Sequence, residues 1–123
     1  NYKALWCAEK VKNCMLEFEL KNHRKPKVAM MGLAFKPNID DLRESPAKSI
    51  TTNVIQACNN PDIMVVEPNV KENNLFKLTD YKAAYETADI VVFLVNHREF
   101  TELNYRKDII VLDFCGNNMI KIN

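Results

Sequence analysis

The chain has 123 residues, 47% of them hydrophobic, enough for one compact core and for one domain rather than two. Its 17 basic against 16 acidic residues exclude a broad electrostatic pull toward nucleic acid or an anionic membrane. Any phosphate the protein binds has to be held locally. No apolar stretch approaches the roughly 18 to 20 residues that cross a bilayer, and no signal-peptide pattern is present, so a soluble, cytoplasmic protein is expected.

From Ala4 to Phe18, apolar residues at 4, 7, 8, 11, 14, 15 and 18 follow the spacing of one helix face. The polar face of this amphipathic helix carries Lys3, Glu9, Lys10, Lys12 and Glu17. The first residue is Asn1 and no capping run precedes the helical pattern, so the chain is expected to be cut from a longer one. Cys7, Cys14, Cys58 and Cys115 form no CxxC pair and have no histidines at metal-ligand spacing, which argues against zinc. Cys7 and Cys14 read instead as small buried hydrophobes in a reducing compartment. Lys21, His23, Arg24, Lys25 and Lys27 form a basic stretch that reads as a solvated connector.

Lys27 to Leu33 is an apolar run that marks a first, buried strand. A long loop follows, and Ser45-Pro46 supplies an N-cap and a first-turn proline for a helix carrying Ala47, Ile50, Val54, Ile55 and Cys58, stopped by Asn59-Asn60-Pro61. Asp62 to Glu67 is a second strand ended by Pro68-Asn69, and Asp80 to Ala88 a short helix. Asp89 to Val95 is a third strand, the most apolar. A short segment around Phe100 to Leu103 precedes a fourth strand at Asp108 to Phe114. Continuous apolar strands alternating with helices predict an α/β fold, a Rossmann-like parallel sheet of about four or five strands flanked by helices and preceded by the amphipathic helix. The doubly wound pattern with right-handed crossovers predicts the strand order 3-2-1-4. There is no internal repeat and no low-complexity tract.

In such a sheet, ligands bind outside the carboxyl ends of the strands, near the switch point beside the first strand. Four segments converge there: the loop 34–46, Glu67-Pro68-Asn69, Asn96-His97-Arg98, and Phe114-Cys115-Gly116. In the loop, Lys36 and Arg43 either pair with phosphate or carboxylate oxygens or pair on the surface with Asp40, Asp41 and Glu44. The start of the following helix adds free N–H groups and a positive dipole end. The only glycines are Gly32 and Gly116 and the loop lacks GxGxxG, so an independent NAD fingerprint is rejected. Glu67 stands where a ribose-binding acid would lie, and without the glycines it reads as a surface acid at a strand end. His97 either lines a nucleotide pocket or is a packed loop histidine.

The run Gly32-Leu33-Ala34-Phe35-Lys36-Pro37-Asn38-Ile39-Asp40-Asp41-Leu42-Arg43-Glu44-Ser45-Pro46-Ala47 resembles the C-terminal signature of the UDP-glucose, GDP-mannose and UDP-N-acetylmannosamine dehydrogenases. Val66-Glu67-Pro68-Asn69, Ala88-Asp89-Ile90-Val91-Val92 and Val95-Asn96-His97-Arg98-Glu99-Phe100 agree with it in order. The resemblance spans about residues 27 to 116, and residues 1–20 are similar to the end of the family's central helical region. It implies that residues 1–25 end a connecting and dimerisation helix, that 26–123 form the C-terminal nucleotide-sugar (UDP) binding domain, and that the N-terminal NAD domain is absent. Glu-Pro-Asn and Asn-His-x-x-Phe resemble the N-acetylmannosamine branch more than the UDP-glucose branch.

By that resemblance the whole enzyme oxidises the sugar C6 alcohol twice with NAD, from UDP-N-acetylmannosamine to the uronate used in surface polysaccharide. A cysteine in a Gly-Gly-x-Cys context forms the covalent intermediates. That context does not occur here, so none of the four cysteines takes the role and no catalytic residue is assigned. Phe35 and Lys36 match positions that contact the nucleotide sugar, with His97 beside the uridine, and Arg43 matches one that reaches NAD held by the N-terminal domain. The implied partners are a UDP-sugar, that NAD domain and a second copy in a homodimer. Where the family commonly has a basic residue after the last strand, this chain has Asp113-Phe114-Cys115-Gly116. The fragment is expected to bind UDP without turnover. A UDP-glucose 6-dehydrogenase domain, a free-standing nucleotide-binding module, and a remnant dimerising through the stripe Ala4, Cys7, Val11, Cys14 and Phe18 stand as alternatives.

Overall fold

The computed structural model describes residues 2–34, 45–71, 73 and 75–115. Its elements are α1 (Tyr2–Asn22), β1 (Val28–Met31), α2 (Pro46–Ala57), β2 (Ile63–Val66), α3 (Tyr81–Thr87), β3 (Ile90–Phe93), a 3-10 turn at Arg98–Glu102 and β4 (Ile110–Asp113). Every element is where the hydrophobic pattern puts it. The strands are shorter than the apolar runs because the flanking residues serve as turns.

The four strands form one parallel sheet in the order β2-β1-β3-β4, which corrects the expected 3-2-1-4. Burial explains the difference. All four residues of β1 and of β3 are buried, whereas Ile63 and Met64 of β2 are only half-buried and Ile110 of β4 is exposed. The expected order would have left Ile90-Val91-Val92-Phe93 at an edge, exposing the strand with most apolar surface to lose. The outer edge of β2 is partly covered, since Thr79 donates to the Val65 carbonyl (2.8 Å).

Successive strand residues face opposite sides, so the sheet builds two cores. On one side Val28, Met30, Ile90 and Val92 meet Ile50 and Val54 of α2 and the Ala4, Cys7, Ala8, Val11 and Met15 face of α1. On the other, Ala29, Met31, Val66, Val91 and Phe93 meet Ala84 and Tyr85 of α3 together with Phe100 and Leu103. The stripe Ala4, Cys7, Val11, Cys14, Phe18 is therefore turned inward: Ala4, Cys7 and Val11 are buried and Cys14 and Phe18 pack against them. A dimer made through that stripe is excluded by its own core. The outer face of α1 carries Leu5, Trp6, Leu16 and Leu20 instead, all exposed. Among the described residues no helix is long and apolar enough to cross a membrane, and no cluster of ligating side chains suits a metal.

The basic connector is exposed but structured. His23 adopts φ 56° and donates its N–H to the Glu19 carbonyl, ending α1 in a left-handed turn. Arg24 then grips both oxygens of Asp89 at 2.9 and 3.0 Å, and Asp89 also accepts from the Lys27 N–H (2.8 Å). This pair joins the start of β1 to the start of β3, and the Arg24 hydrogen bonds hold the Asp89 carboxyl below its usual range.

Candidate functional site

The parallel register aligns the carboxyl ends of all four strands, with Met31 opposite both Val66 and Phe93, and Phe93 opposite Asp113. Above β1 the chain turns at Gly32, whose φ of +106° only glycine adopts freely. A Cβ there would lie 2.7 Å from the Val95 Cβ, so the close approach of β1 and β3 also requires glycine.

The turn aims two consecutive backbone N–H groups, of Leu33 and Ala34, at one carboxylate oxygen: Glu67 Oε1 accepts from both at 2.9 Å. His97 Nε2 lies 2.9 Å from the same oxygen, and Glu67 Oε2 accepts the Asn69 N–H at 2.9 Å. Asn69 Nδ2 is 3.1 Å from His97 Nδ1. An amide nitrogen can only donate, so Nδ1 accepts and Nε2 carries the hydrogen given to Glu67. Glu67 is 3% exposed and His97 0%. Burial pushes the Glu67 carboxyl up, but the hydrogen bonds from His97, Leu33 and Asn69 outweigh it and hold the group below its ordinary value.

Glu67 is thus neither a surface acid nor a ribose ligand, which corrects the sequence reading. It is a buried internal anion. The signal available was the backbone itself: two N–H groups leaving β1 after a left-handed glycine form an anion-binding nest and must find an acceptor. His97 is the packed loop histidine of the two readings, with both ring nitrogens engaged and its ring edge-on to Phe100 at 5.6 Å.

Ser45 closes the other end of the loop. Its hydroxyl donates to the Leu33 carbonyl at 2.5 Å and accepts the Lys48 N–H at 3.3 Å, capping α2 with Pro46 in the first turn. The two ends of the segment 35–44 are therefore fixed side by side. Phe35, Lys36, Asn38 and Arg43, with Asp40, Asp41 and Glu44, lie outside the described residues, as does Gly116.

Between β1 and β3, at the switch point, an open cleft is lined by Ala34, Pro46, Ala47, Leu94, Val95, Asn96 and Cys115. The first turn of α2 faces it. Among the described residues, the buried Asn96 Oδ1 there has no hydrogen-bond partner. Such an orphan costs about 1–3 kcal/mol unless something completes it. Asn96 was missed as an individual site residue, and nothing in an Asn-His pair at a strand end distinguishes it in advance. Cys115 is held by Asp113, whose Oδ1 accepts the Cys115 N–H at 3.1 Å and its thiol at 3.5 Å.

A parallel sheet with a cleft at its switch point, beside a helix N-terminus and a loop with pinned ends, defines a nucleotide-binding α/β domain. Residues 29–116 match the model of the UDP-glucose/GDP-mannose dehydrogenase family, UDP binding domain, and the chain belongs to this family. Among relatives, the UDP-N-acetyl-D-mannosamine dehydrogenase of Campylobacter jejuni is 45% identical over 97 residues, covering 73% of this chain and 23% of that protein. The enzyme of the same name from Escherichia coli K12 is 39% identical over 113 residues, covering 85% and 26%. The UDP-D-ManNAc dehydrogenase structure from Pyrococcus horikoshii superposes with a TM-score of 0.66 at 26% identity, covering 94% of this chain and 28% of that one. The chain spans about a quarter of the length of these relatives.

Proposed function

We propose that the chain is the nucleotide-sugar-binding part of an NAD-dependent 6-dehydrogenase that converts UDP-N-acetyl-D-mannosamine to its uronate for surface polysaccharide, in the cytoplasm. The observation that carries this is the switch-point cleft, where a helix N-terminus and the unpartnered Asn96 oxygen stand next to the fixed ends of the loop bearing Lys36 and Arg43. A diphosphate suits the dipole and the two cations, and an amide carbonyl suits an N–H of the base or of the acetamido group. Phe35 and Lys36 are assigned to the nucleotide sugar. His97 supports the site from behind rather than touching the ligand with its ring nitrogens.

The described residues do not fit NAD at this turn. The Leu33 and Ala34 N–H groups that would face a pyrophosphate are taken by Glu67. NAD is therefore assigned to another domain of the enzyme, with Arg43 reaching toward it, and these 123 residues alone bind nucleotide without turnover. Residues 1–25 are assigned to the connecting helix, and the homodimer to the outer face of α1, with Leu5, Leu16 and Leu20 exposed. Cys115 at a position where the family commonly has a basic residue favours, as a second reading, a module that binds nucleotide in its own right.

Calorimetry with UDP and UDP-N-acetylmannosamine at low salt tests the proposal. Both bind, and Lys36→Ala weakens binding by about 1–3 kcal/mol, the scale of a lost charge-assisted hydrogen bond. Adding NAD to the UDP-sugar gives no reduced cofactor. A folded chain that binds neither ligand would refute the assignment.

A further inference from the structure

The chain has filled its own anion nest. Gly32 turns the Leu33 and Ala34 N–H groups onto Glu67 Oε1, and His97 reaches the same oxygen from the carboxyl end of β3, each contact being 2.9 Å. Strand order makes this arrangement possible: β2 and β3 flank β1, so an acid after β2 and a histidine after β3 meet above the residues leaving β1. Asn69 completes the group by donating its backbone N–H to Glu67 Oε2 and its amide to His97 Nδ1. Two of these contacts fall on Leu33 and Ala34, and the others hold the carboxylate that receives them.

We propose that Glu67 and His97 are a positioning pair for nucleotide-sugar binding, which holds the Leu33 and Ala34 N–H groups and so fixes the wall that Ala34 gives the switch-point cleft, without touching the ligand. This rests on the nucleotide-sugar-binding role assigned above to the cleft that Ala34 lines. The physical case is one of preorganisation. Two consecutive peptide units, each held by its N–H to a buried carboxylate, cannot rotate to follow a ligand, and the carboxylate cannot swing because two other donors, His97 and the Asn69 N–H, and the surrounding core hold it. With either partner removed, the Leu33–Ala34 turn would have to be fixed at the moment of binding, and affinity would fall although no ligand contact had been deleted.

The test compares UDP affinity with stability in the full 123-residue chain. His97→Ala removes the Nε2 donor. Glu67→Gln keeps one acceptor oxygen for Leu33, Ala34 and His97 but turns an NH2 toward the Asn69 N–H. Val11→Ala, in the α1 core on the other side of the sheet, serves as a destabilised control. Each variant is first shown by circular dichroism and cooperative melting to be folded. The expected result is UDP binding weakened tenfold or more by His97→Ala and less by Glu67→Gln, with the Ala34 amide resonance displaced in both. Val11→Ala should melt lower and bind within twofold of the unsubstituted chain. Unchanged affinity in both site variants, while the unsubstituted chain binds UDP, would overturn the inference alone, as would an equal loss in Val11→Ala. Absence of UDP binding by the unsubstituted chain would overturn the functional assignment and this inference together.

Discussion

Glu67 is a charge taken out of water, and its stability depends on every donor around it. An unpaired buried carboxylate is strongly unfavourable, and removing one partner of a buried hydrogen-bonded charge typically costs about 3–5 kcal/mol. Because the native value of this group lies below its ordinary one, its contribution is fully present above the unfolded value, about pH 4.3. It is lost as pH falls through the lower native value. Unfolding free energy measured by denaturant titration should therefore drop below about pH 4 in the native chain, and drop less steeply there in Glu67→Gln. Gly32 makes a separate prediction. Alanine at that position combines a left-handed backbone with a 2.7 Å contact to Val95, so Gly32→Ala should lower stability by about 1–3 kcal/mol. A loss well under 1 kcal/mol would mean that β1 and β3 separate more readily than their burial suggests.

Among the elements, α2 depends most visibly on one side chain. Ser45 both caps the helix and binds the Leu33 carbonyl, so Ser45→Ala should cost about 1–2 kcal/mol, the upper part of the N-cap range, and speed hydrogen exchange in the first turn of α2. Arg24 and Asp89 form a largely exposed pair, and such pairs contribute little, so Arg24→Ala should lower the melting temperature only slightly, and less still at high salt. The elements were legible because each carries its own local signal: the 3.6-residue apolar period of α1, the Ser45-Pro46 cap, the unbroken apolar runs of β1 and β3. Strand order has no local signal. The clue was comparative, since Ile90 to Phe93 is too apolar for an edge and Ile63 and Ile110 are affordable losses there. Whether the stripe on α1 faces the core or a second copy was not settled by the sequence, because periodicity reveals a stripe without saying what covers it.

At the scale of the whole molecule, the cleft was legible as a place, from the rule that ligands sit beyond the carboxyl ends at the switch point. The family resemblance along residues 32–47 supplied its ligand chemistry. The Glu67–His97 contact was not legible, because two residues 30 apart along the chain meet only once β1 lies between their strands. The exposed Leu5, Leu16 and Leu20 on α1 predict that raising the chain's concentration will bury that face between copies, which sedimentation would register as a larger species. Trp6 has a different use. It is the only tryptophan in the chain, half-exposed on α1, and its ring stands edge-on to Phe114 at 6.1 Å, one residue before the Cys115 that lines the cleft. The protein thus carries its one tryptophan, which can be excited apart from its four tyrosines, at the seam between its first helix and the switch-point cleft. If the proposed nucleotide site is right, its emission should change in intensity on nucleotide addition, and detachment of the helix should shift it to the red, without any added label.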